Sequence, residues 1–100
     1  MSGGHFNYKQ YEIGYIVDDI QQIIDCYERD ETDDCGQKYR ERYTPEEIAK
    51  FKEGCFFLEM GQIYAQRIDW LLSGDDGTDS FFRRLTHDIN ELKEIYAKRA

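Results

Sequence analysis

The residues best able to do chemistry are carboxylates. Glu28 and Glu31 have the E-x-x-E spacing, and so do Glu91 and Glu94. That spacing places two carboxylates one helical turn apart, where hard cations such as magnesium find several oxygen ligands. All-helical nucleotide pyrophosphohydrolases use it, so a metal-dependent nucleotide hydrolase is one alternative reading. His87 and Glu91 stand four apart and have the spacing of an acid–base or metal-ligand pair. Their phase sets them away from the apolar stripe of their helix, which predicts an exposed surface pair. Asp75-Asp76-Gly77-Thr78-Asp79 looks like a calcium loop, but neither glycine register places oxygen ligands at the required positions. It reads as a turn followed by a helix cap. No Ser or Cys has a recognisable nucleophile context. No catalytic residue, metal ligand or cofactor is assigned.

Charge points to binding. The chain has 100 residues, with 13 Lys and Arg against 21 Asp and Glu, for a net charge of −8. This balance opposes direct nucleic-acid binding and an anionic membrane surface, both of which run on cations. Eight of the acids fall within residues 18–34, accompanied by one base, Arg29. Asp18, Asp19, Asp25, Glu28, Asp30 and Glu31 are the expected docking surface for a partner protein with a basic face. The second candidate site is cationic and aromatic. His5, Phe6 and Tyr8 follow a glycine pair and could stack on a nucleotide base. Arg67, Arg83 and Arg84 would meet its phosphates, the first from the end of one helix and the others from the start of the next.

The elements that must position these groups are helical. The sequence predicts an all-α, three-helix bundle forming one domain over 1–100, with helices at 8–27, 45–72 and 80–98. Ile13, Ile16, Val17, Ile20, Ile24 and Tyr27 mark the inward face of the first helix, which Tyr11, Tyr15 and Ile23 widen. Thr44-Pro45-Glu46-Glu47 is a capping box with proline at the first helical position, so the second helix has a sharp start. Its inward face is Ile48, Phe51, Cys55, Leu58, Ala65, Ile68 and Leu72, with Gln62 as the polar break, and Ser73-Gly74 ends it. Phe82, Leu85, Ile89, Leu92 and Tyr96 form the third stripe. Residues 28–43 form a long polar connection, or the first helix continues and breaks near Gly36. Gly54 and Gly61 imply close approach of another helix, from this chain or a second copy. With Phe57, Tyr64 and Trp70 outside the main stripe, the second helix is expected to offer apolar surface to a partner or to a second subunit of a homo-oligomer.

Cys26, Cys35 and Cys55 are odd in number and not in C-x-x-C spacing. They read as reduced thiols, Cys55 as a core residue, in a cytoplasmic protein. No run is apolar enough for a membrane helix.

Met1-Ser-Gly-Gly-His-Phe-Asn-Tyr8, followed by Tyr11-Glu-Ile-Gly-Tyr-Ile16, resembles the opening of a group of short phage, prophage and bacterial proteins. The stretch from Tyr64 to Gly77, with Ser80-Phe81, is similar to their C-terminal half. The resemblance implies a phage-type accessory protein in the host cytoplasm and transfers no catalytic residue. Small acidic helical proteins in that setting act by binding. The leading expectation is a non-enzymatic counter-defence or host-takeover protein that blocks a host factor. The alternative is a sponge for a nucleotide immune signal.

Overall fold

The structure, a computed structural model, describes residues 4–99; Met1, Ser2 and Gly3, which open the motif quoted above, lie outside them. It is all-α, with α1 (Tyr11–Glu28), α2 (Tyr39–Arg42), α3 (Pro45–Leu72) and α4 (Thr78–Arg99). Among the described residues the one β pairing is an isolated bridge between Thr32 and Lys38. No helix is long and apolar enough to cross a membrane.

α3 starts and stops where its sequence signals do. The Thr44 hydroxyl accepts from the Glu47 amide at 3.1 Å, and the Glu47 carboxylate accepts from the Thr44 amide at 2.8 Å. Gly74 follows the last turn at φ +79°, a left-handed conformation that glycine adopts without strain. α1 packs along one side of α3 and α4 along another, and α1 and α4 do not pack on each other. The three long helices form an open layer around α3, with Cα extents of 51 × 29 × 16 Å.

The core lies between α1 and the first half of α3. Val17, Ile24, Ile48 and Cys55 are buried, and Ile20, Tyr27, Tyr43, Phe51 and Leu58 pack around them. Burying a side chain of this size contributes about 1.5–3 kcal/mol. Cys55 takes its expected core place, and burial pushes its thiol pKa up. Gln62, the polar break, packs its amide against Gly14, where a Cβ would stand 3.2 Å from the amide nitrogen. On the α4 side Leu92 is buried, and Tyr96 meets Phe56 edge-on with ring centroids 5.0 Å apart.

Several expectations are corrected. The first helix begins at Tyr11, because Asn7 and Tyr8 have φ of +55° and +65°, which no right-handed helix accommodates. Residues 4–10 instead form turns that fold back on α3. α1 stops at Glu28, so it does not run on to Gly36. The connection from 28 to 43 is structured, by the Thr32–Lys38 bridge and by α2. α4 starts two residues earlier than expected, at Thr78. Ile16 and Phe82 are exposed rather than inward, and Phe81 takes the half-buried place beside Phe82. Leu72, expected inward, is 53% exposed. Among the described residues, nothing lies within 4 Å of a Cβ placed at Gly54 or Gly61.

Candidate functional site

The outer face of α1 collects the groups suited to binding. Tyr11, Tyr15, Asp18, Gln22 and Asp25 step by 4, 3, 4 and 3 along the sequence, which places them on one helical stripe. The buried residues Val17 and Ile24 hold the opposite face of the helix against α3, so this stripe points to solvent. Tyr8, Tyr11 and Tyr15 are exposed, Tyr15 by 68%. Tyr8 leans on Tyr11, with ring centroids 6.1 Å apart. Asp18 and Asp19 are exposed and make no ion pair among the described residues. Asp25 accepts a hydrogen bond from the Gln21 amide at 3.0 Å and has no cation. Asp18, Asp25 and Glu31 share a depression of about 270 Å³ with Arg29 and Cys26.

The other predicted acids are engaged within the chain. Glu28 pairs with Lys52 at 3.3 Å, Asp30 with Lys38 at 3.5 Å and Arg40 at 3.8 Å, and Glu31 with Arg29 at 3.2 Å. Asp33 organises the loop: it accepts from the Cys35 and Gln37 amides and pairs with Arg42, each at 2.9 Å. The Gln37 amide, above all, and Arg42 hold its carboxyl below the usual range, against desolvation, which acts the other way. Arg40 also donates to the carbonyls of Tyr27 and Glu28, both at 2.9 Å, which ties the loop to the end of α1.

The second candidate set is divided. His5 and Phe6 belong to the N-terminal turn, which is pinned on the α1 side of α3. The Phe6 amide donates to Asp69 at 2.7 Å, and Asp69 is 4% exposed. Gly4 lies so close that a Cβ would stand 2.6 Å from the Asp69 carboxylate, at a φ of +58° that favours glycine. Gln10 is buried beside Gln66, whose side-chain oxygen accepts from the Gln10 amide at 2.8 Å, and the Gln10 side-chain oxygen has no partner among the described residues. His5, Phe6, Asn7, Lys9, Gln10, Ile13 and Ala65 line a cavity of about 400 Å³. Arg67 turns instead to α4, pairing with Asp88 at 2.6 Å and stacking on Trp70 at 4.9 Å. Arg84 pairs with Asp76, and Arg83 is exposed. No described contact joins these arginines to His5, Phe6 or Tyr8. Sequence reasoning missed Asp69, Gln10 and Gln66 as anchors. An acid and two glutamines on otherwise apolar faces were the signal available.

Among the described residues no three His, Cys, Asp or Glu side chains are grouped to hold a metal ion. Besides the two E-x-x-E pairs, Glu31 and Asp34 have the E-x-x-D spacing, but both lie in the loop outside α1. His87 and Glu91 form the expected exposed pair at 2.8 Å. Ser80 braces the Asp75–Asp79 turn: it accepts from the Gly77 amide and donates to one carboxylate oxygen of Asp76, whose other oxygen has no partner among the described residues.

No family model, curated protein or solved structure matches this chain.

Proposed function

We propose that this chain is a non-enzymatic binding protein whose contact face is the outer stripe of α1. A phage-type accessory role, blocking a basic host protein in the host cytoplasm, is the setting this proposal adopts. One observation carries it: three exposed tyrosines run directly into carboxylates that make no ion pair among the described residues. Tyrosine supplies large contact area at low entropic cost and is enriched at interface hot spots. Unpaired carboxylates beside it steer a basic partner and set its register. The engaged acids Glu28, Asp30 and Glu31 drop to a supporting role. The test is affinity capture from host lysate across a salt series. The wild-type chain should retain a partner at low salt and release it as salt rises. Tyr11→Ala with Tyr15→Ala should lose that partner at every salt concentration; undiminished retention by the double variant would refute the proposal.

A second reading, sequestration of a nucleotide signal, is favoured by the cavity under the N-terminal turn. The unpartnered Gln10 oxygen there can accept from a base amino group, and His5 and Phe6 supply ring surface. Native mass spectrometry with linear and cyclic nucleotides tests it: a stoichiometric adduct abolished by His5→Ala supports sequestration, and a spectrum without adducts rejects it.

A further inference from the structure

The layer leaves one face of α3 bare. α1 packs on the face carrying Ile48, Cys55 and Gln62, and α4 on the face carrying Phe56 and Arg67. A third stripe runs through Gly54, Phe57, Gly61, Tyr64, Ile68 and Leu72. Between residues 54 and 72 it contains no charged residue, in a chain that is 34% charged; Lys50 and Glu46 continue it toward the start of α3. Phe57 is 62% exposed, and Tyr64 and Leu72 are exposed with it. A Cβ at Gly54 or Gly61 would meet nothing within 4 Å. Each glycine costs about 1 kcal/mol relative to alanine in a helix interior, and within one chain nothing offsets that cost.

The dimensions show how much surface awaits a partner. A compact chain of 12.0 kDa exposes about 6,000 Å², whereas this one exposes 7052 Å². Its radius of gyration is 16.9 Å, against about 13 Å for a compact domain of this length. The excess of about 1,000 Å² is close to what each partner buries in a standard-size interface, about 800 Å².

We propose that two copies of this chain pair through this stripe, α3 against α3, antiparallel about a two-fold axis at the level of residue 59. The register follows from the spacing. That axis sets Phe57 of one copy opposite Gly61 of the other, and Tyr64 opposite Gly54. Each ring then fills the space left by a glycine, twice over by symmetry, as an isologous contact requires. A parallel pairing would set ring against ring and glycine against glycine. The central part of the paired stripe, residues 54–64, is neutral, so two chains of charge −8 meet there without burying like charges; beyond it Ile68 and Leu72 stand opposite Lys50 and Glu46 of the other copy. The outer face of α1, which points away from α3, stays free in the pair.

The test is sedimentation velocity on the full chain, with circular dichroism as a check on folding. The wild-type chain should sediment at twice its 12.0 kDa mass. Gly61→Leu fills the socket and should weaken self-association by at least about tenfold. It should not reduce helicity, because the site is open within one chain and leucine favours helix. Phe57→Asp should act likewise. The swap of Phe57→Gly with Gly61→Phe restores a ring opposite a glycine, and should recover the pair that Gly61→Phe alone loses. A wild-type chain that stays at single mass into the high micromolar range overturns the proposal. So do single variants that pair like wild type, which would place the contact on another face, and a swap that fails to recover association.

Discussion

Two acidic regions adjoin in this chain and do different work. The stripe from Asp18 to Asp25 rides on a helix whose opposite face is buried, and its carboxylates make no ion pair among the described residues. The segment from Glu28 to Asp33 follows directly and is as acidic, yet every carboxylate named in it is bonded to Arg29, Lys38, Arg40, Arg42 or Lys52. The first region holds free charge toward solvent beside exposed rings. The second uses its charge to fold a loop. A run of acids therefore identifies a docking face only after the cations folded onto it are counted.

That contrast can be sharpened at its N-terminal border, where Tyr8 depends on the turn that Asp69 anchors. Gly4→Ala should detach the turn, since its Cβ would collide with the Asp69 carboxylate. The loss of a bond to a buried carboxylate costs about 1–3 kcal/mol. Thermal unfolding should show that loss, and amide exchange at Phe6 should accelerate while the exchange of α2 does not change.

A smaller effect tests the loop by pH. Asp33 has a lowered pKa when folded, so its contribution is present above the unfolded value of 3.8 and is lost as pH falls through the folded one. Amides of Cys35 and Gln37 should lose exchange protection below about pH 4, and Asp33→Asn should remove that pH dependence. Smallest of all is Glu31→Gln, which breaks one exposed pair with Arg29. Such pairs contribute about 0–1 kcal/mol, so thermal unfolding should barely move.

Some of this was legible in the sequence. The Thr44-Pro45 capping box and Gly74 bound α3 correctly because both signals act within a few residues. The start of α1 was not legible. Tyr8, Tyr11 and Tyr15 continue a helical spacing, and spacing alone does not reveal that Asn7 and Tyr8 turn left-handed. Nor does aromatic character say which side of a helix faces solvent, so Tyr11 and Tyr15 read as a wider core. Of the six acids expected to dock, Asp18, Asp19 and Asp25 make no ion pair among the described residues, whereas Glu28, Asp30 and Glu31 are paired within the chain. Lys38 and Arg40 reach back to Asp30 through a turn that depends on the Thr32–Lys38 bridge, a pairing without a local signature. Arg67 was read as a phosphate ligand, but the α3–α4 register gives it to Asp88.

The most direct measurement compares capture by two variants that lose the same two charges. One carries Asp18→Asn and Asp25→Asn; the other carries Glu28→Gln and Asp30→Asn. The partner's affinity should fall by at least about tenfold for the first and less than about twofold for the second, because an exposed, internally paired charge is worth little to a partner. Equal losses would mean that net charge alone recruits the partner. A larger loss from the second variant would place the docking face on the loop and contradict the account.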